Sequence, residues 1–183
     1  VCVTPEAAPS AAGDFGTSMM SELWQLLHRL DAPSASREYR VGGISGNRTV
    51  LSIPEVARQH ADAHRWFESE RRGCDVGPAA YGQWRKRYWR LFCRWRYLEH
   101  LLGICCYQEF EPELFGSLRQ QEEWSFDEVM DFALRRVLTD DREQVEVLYE
   151  APDDLPRNRL LQVLGLLNVD RARLNPPDWA ASP

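Results

Sequence analysis

His60 and His64 stand four residues apart and Glu68 continues the row, so a helix through this stretch would carry two imidazoles and a carboxylate on one edge. Those are ligands for a divalent transition metal, and His100 would supply a further one from a second helix. Such a set suits a helical metal- or cofactor-dependent enzyme. The chain has no HExxH, no ExxH pair and no cysteine motif around it, so the row is a ligand set without a signature.

A second constellation lies between residues 84 and 100. At about 100° per residue, Arg87, Arg90 and Arg94 fall on one flank of a helix, beside its aromatic stripe. Arginines next to aromatics can hold phosphates while bases stack, which is a nucleic-acid surface. The competing reading is internal: residues 84–100 carry a net charge of +5, whereas residues 109–154 hold 15 Asp and Glu against four Arg, a net of −11. Acidic side chains downstream then neutralise the stripe within the chain. An acidic protein partner is the third reading. Trp89 lies off the main stripe, on the side of Cys93, Arg96 and His100, and marks either a helix buried on several sides or an interface anchor.

The remaining candidates are plainer. Cys2, Cys74, Cys93, Cys105 and Cys106 are odd in number and lack CxxC spacing, and adjacent Cys105 and Cys106 would close only a strained ring. They read as free thiols in a reducing compartment. The run GGISGNRT lacks the Gly-Lys-Ser/Thr ending of a phosphate loop and reads as a turn. No GxSxG or other nucleophile signature is present.

The element that must position these residues is Tyr81–Leu102, in which Trp84, Tyr88, Leu91, Trp95, Leu98 and Leu102 step by four and three, with Phe92 widening the stripe. Its 22 residues make a rod of about 33 Å. Ahead of it, Ser52, Pro54 and Glu55 announce a helix with a capping box, running to about Arg72 and ended by Gly73; its expected inner face is Ile53, Val56, Ala57, His60, Ala63 and Phe67. Downstream, the spacing predicts a helix over 113–123, a second capped by Ser125 with Phe126, Val129, Met130, Ala133, Leu134, Val137 and Leu138 inward, and a last over 155–167; over 141–150 Val145, Val147 and Tyr149 alternate like a strand while Val145, Leu148 and Tyr149 fit a helix, and the helical surroundings favour the helix. Residues 38–52 read as a small β-hairpin pairing Tyr39, Val41 and Ile44 with Thr49, Val50 and Leu51.

Residues 1–17 read as a flexible arm, with Met19 or Met20 an alternative start, and a short helix follows from Ser18 through Leu23, Leu26, Leu27 and Leu30. Residues 176–183 read as a flexible tail. The expectation is therefore one mainly α domain over 18–175, about six helices around the 81–102 helix. With 44% hydrophobic residues, its 183 residues suffice for one core. A net charge of −6 argues against whole-molecule attraction to nucleic acid or anionic membranes, and no signal peptide or apolar run of about 18 residues is present, which points to the cytoplasm. Lys86 is the sole lysine beside 21 arginines, a bias that carries no functional inference by itself. Strong helices, surplus aromatics and missing catalytic motifs favour a non-catalytic adaptor, assembly or regulatory protein that works by protein–protein contact or self-association, with no cofactor predicted.

Overall fold

The computed structural model describes residues 50–121 and 125–180. The chain divides into units 1–43 and 44–183, and every described residue belongs to the second. The expected arm, the helix from Ser18 and the first limb of the hairpin lie outside the described residues. The fold is mainly α, with five α-helices and a two-stranded sheet among the described residues: β1 (Val50–Leu51), α1 (Ile53–Arg72), α2 (Ala79–Leu101), β2 (Cys106–Tyr107), α3 (Glu128–Leu138), α4 (Gln144–Tyr149) and α5 (Arg157–Leu167). None of these helices is long and apolar enough to cross a membrane.

The predicted strand at 50–51 exists, but its described partner is not a hairpin neighbour. Val50 and Leu51 pair in parallel with Cys106 and Tyr107, and Gln108 N–H donates to Leu51 C=O at 3.0 Å. A parallel pair needs a long crossover, and the α1–α2 hairpin provides it.

α2 is the central element, as its pattern implies. From Phe92 to Leu101 every residue except Arg96 and Glu99 is buried, so over this half the helix is enclosed on all sides. α3 buries Val129, Met130, Ala133, Leu134, Val137 and Leu138, and α5 buries Leu160, Val163, Leu164 and Leu167. Where α2, α3 and α5 meet, Leu98, Leu101, Leu134, Val137, Leu138 and Leu167 leave a void of only about 10 Å³, which is interior-grade packing.

Four local expectations are corrected. α1 turns a different face inward: Ile53, Ala57 and Ala61 are buried, whereas Ala63 and Phe67 are exposed. The large rings of α2 already fill this seam, so α1 meets them with small residues. Residues 113–121 form no α-helix; Pro112–Leu114 and Ser117–Gln120 are separate 3-10 turns, divided by Gly116 at φ 74°. Asp127, not Ser125, caps α3, its carboxylate accepting from Met130 N–H at 2.8 Å. Beyond Pro177, Asp178–Ala180 forms a 3-10 turn whose Trp179 ring lies 6.0 Å from Tyr81 and 6.4 Å from Trp84, so the expected tail carries a packed residue.

The cap of α1 is also not the predicted one. Ser52 is extended and makes no side-chain cap bond of its own. The Glu109 carboxylate accepts from Ser52 Oγ–H at 3.1 Å and from Ile53 N–H at 3.0 Å, tying the helix start to the segment after β2. An acid there also complements the positive helix end. Glu109→Ala is expected to cost about 1–2 kcal/mol in denaturant unfolding, whereas Glu55→Ala, at the unformed box position, costs under about 0.5 kcal/mol.

Candidate functional site

The histidine row lies in the α1–α2 seam. His60 meets the Phe92 ring edge-on with centroids 5.2 Å apart, and His64 meets Tyr88 at 5.7 Å. Glu68 does not face them as a ligand; it pairs with Arg71 at 2.7 Å and with Arg72 at 3.6 Å, and the Arg71 hydrogen bond holds its carboxyl below the usual range. His100 is 0% exposed and both ring nitrogens are engaged. Tyr107 N–H donates to Nδ1 at 3.2 Å, which makes Nε2 the protonated nitrogen that faces Glu111 C=O at 3.1 Å. The His100 carbonyl accepts from Gly103 N–H and Gly116 N–H, each at 3.0 Å. The four residues are therefore not gathered, and among the described residues no group of three or more His, Cys, Asp and Glu is arranged to hold a metal ion.

The chain also dictates why this junction needs glycine. Gly103 and Gly116 both have positive φ, and a Cβ on Gly103 would stand 3.1 Å from Gly116 Cα. The two backbones cross at contact distance, both tied to the His100 carbonyl, and the His100 ring meets Phe110 and Phe115 edge-on.

The arginine stripe is split. Arg94 is 3% exposed, and its NH1 donates to Val137 C=O at 3.1 Å, Arg142 C=O at 2.9 Å and Asp141 Oδ1 at 3.1 Å. Its NH2 lies 3.1 Å from Glu143 Oε2. Arg90 binds the same acids, donating to the Asp141 carboxylate and, at 2.9 Å, to Glu143 Oε1. Arg173 joins Glu143 at 2.8 Å. Burial alone would raise Glu143, but Arg94, Arg173 and Arg90 outweigh it and hold the carboxyl below its usual range. Burial pulls Arg94 down from the ordinary arginine value, against the pull of Glu143 and Asp141. Asp141 itself is held at φ 55°, a left-handed conformation that Asp tolerates, with its carbonyl and carboxylate both on Arg90. Arg87 alone of the three stays exposed without such acids, its guanidinium 5.3 Å from the Tyr88 ring.

Trp89 is buried and its Nε1–H donates to Leu174 C=O at 2.8 Å, which makes it a core residue that fastens the chain after α5. A further polar cluster joins α2 to β2: Tyr107 O–H donates to Glu99 Oε2 at 2.6 Å, and Arg96 NH1 lies 3.1 Å from that oxygen. Burial raises the Glu99 carboxyl above its usual range, opposed by Arg96 and Tyr107. Cys105 lies nearby with its thiol pushed up by burial, and the buried Cys93 thiol is pushed up to about 12, so both are poor nucleophiles.

Exposed large apolar side chains lie in two places on the helices, with Val145, Tyr149 and Leu161 on α4 and α5 and an adjacent aromatic pair on the outer face of α1. Trp66 is 58% and Phe67 63% exposed, their rings edge-to-face at 4.9 Å. Trp66 borders an open groove of about 610 Å³ between the second half of α1 and the start of α2, with Arg65, Glu70, Asp75 and Tyr81 on its walls. No family model matches this chain, and no curated protein or solved structure matches it. Sequence reading placed Phe67 inward and overlooked Trp66. The available signal was their adjacency: neighbours about 100° apart on a helix cannot both enter a seam lined by alanines.

Arg94→Ala is expected to cost about 2–4 kcal/mol, because it empties a buried site and takes the guanidinium donor from the Val137 and Arg142 carbonyls while Asp141 and Glu143 keep Arg90 and Arg173, whereas Arg87→Ala changes stability by under about 0.5 kcal/mol; chemical denaturation compares them. Burial also lowers His60, His64 and His100 below the ordinary imidazole value, with Arg96 adding to the shift at His60. Below ~6.5 the unfolded chain takes up protons that the folded chain refuses, so this contribution is full above ~7 and is lost as pH falls. The melting temperature should therefore drop as pH falls below about 7, and a rise or no change would contradict this.

Proposed function

We propose that this protein is a non-catalytic helical adaptor or assembly protein of the cytoplasm that acts by protein–protein contact through the outer face of α1. The observation that carries the reading is the pair Trp66 and Phe67, adjacent, more than half exposed and set beside a groove of about 610 Å³. An exposed Trp next to a concavity matches the anchors that dominate protein interfaces. Two of the polar side chains that suggested chemistry are engaged within the chain, His100 by Tyr107 and Glu111 and Arg94 by Asp141 and Glu143. The nucleic-acid reading required Arg87, Arg90 and Arg94 to reach phosphates together, and two of the three face carboxylates instead. The cytoplasmic placement rests on the sequence, and the free thiols Cys74, Cys93, Cys105 and Cys106 support it.

A photo-crosslinking residue placed at 67 in the native cell is expected to give a discrete protein adduct that the same residue at 153 does not give. The pair Trp66→Ser and Phe67→Ser should abolish that association while shifting stability by under about 1 kcal/mol, as exposed positions do. Loss of folding in the double variant, or adducts at 153 alone, would refute the reading.

A further inference from the structure

The charges around Trp66 say what kind of segment the groove takes. Its walls carry three carboxylates, Asp62, Glu70 and Asp75, against one cation, Arg65. Arg65 is consumed within the wall, clamping Asp75 through Nε at 3.1 Å and NH2 at 2.6 Å. That clamp raises the guanidinium above, and lowers the carboxyl below, its ordinary value. Asp62 is likewise engaged, accepting from Tyr81 O–H at 2.7 Å and from Arg58 at 3.3 Å. Glu70 is different: it is exposed on the same wall and its carboxylate forms no ion pair or hydrogen bond among the described residues. An open indole thus stands one helical turn from an open carboxylate, within a wall of net negative charge. A cation lying on the Trp66 face would gain the ring's electrostatic attraction and the charge of Glu70 together.

We propose that the α1 groove is a docking site for a basic segment of a partner protein, one that places an Arg or Lys over Trp66 and against Glu70 with an apolar neighbour on Phe67. The proposal rests on the adaptor reading and adds the chemistry of the partner to it. Arginine suits the site best, since its planar guanidinium stacks on an indole and still presents N–H groups to a carboxylate at its edge.

The test is selection of short random peptides displayed on phage against the full-length folded chain, followed by affinity measurement of the enriched peptides. Enrichment of sequences with net positive charge and an Arg or Lys beside an apolar residue is expected. Their affinity should fall about fivefold or more in Glu70→Lys and in Trp66→Ser. It should stay unchanged in Asp153→Lys, which alters the net charge equally at an exposed site outside the groove's lining and so separates groove binding from general attraction to an acidic protein. Equal loss in Asp153→Lys, or enrichment of acidic or uncharged peptides, overturns the proposal. Sedimentation equilibrium showing a dimer that dissociates in Trp66→Ser would assign the groove to a second copy and overturn it as well. Cross-linking at 67 onto an acidic segment would retain the adaptor reading and reject the basic partner.

Discussion

The guanidinium of Arg94 sits inside a helical protein almost wholly out of water, and the acidic half of the chain is arranged around that fact. A buried cation costs several kcal/mol unless its N–H groups and its charge are met. Here two backbone carbonyls and two carboxylates meet it, all from residues 137–143, the end of α3 and the turn into α4. The same turn then starts α4, since Glu143 and Glu146 form a reciprocal capping box. One basic side chain on α2 therefore fixes where α3 stops, holds Asp141 in its left-handed conformation and sets the start of α4. Arg90 and Arg173 share the same acids, so the net −11 of residues 109–154 is partly neutralised by α2 and by the segment after α5.

Close to its C-terminus α2 is held by a neutral group rather than an ion. His100 accepts one backbone N–H on Nδ1, faces a carbonyl through Nε2 and offers its own carbonyl to two glycines. This junction allows the chain to leave the helix at Gly103, run β2 beside β1 and return at Gly116. The histidine that looked like a metal ligand is a backbone organiser, and it works only as the neutral tautomer that its burial favours.

What the sequence disclosed follows from where the controlling contacts lie along the chain. α2 and α3 were legible because their apolar residues recur at three and four over many turns, and every such residue from Val129 to Leu138 on the predicted face is buried. The cap of α1 was not, because Glu109, which makes it, stands 56 residues beyond Ile53. The helix expected over 113–123 was read through Gly116, whose positive φ is demanded by a crossing with Gly103 that local periodicity does not encode. The neutralisation of the arginine stripe was foreseeable as a charge balance, but its selectivity was not: Arg94 and Arg90 are paired with the 141–143 acids while Arg87 is not. The aromatic pair on α1 was misread because two rows compete there, and only the ring sizes on α2 decide that Ala57 and Ala61 face inward and Phe67 outward.

α1 thus has two faces with different duties. The inner one closes on α2 with small residues and imidazoles, and the outer one presents Trp66 and Phe67, which with Tyr149 on α4 are the large rings most exposed among the described residues. That division depends on α2 being fully engaged from within, above all by the acids that Arg94 holds. A double-mutant cycle on Arg94 and Glu143, followed by denaturant unfolding, measures that engagement directly. A coupling free energy above about 1 kcal/mol is predicted, and additive effects within about 0.3 kcal/mol would contradict it.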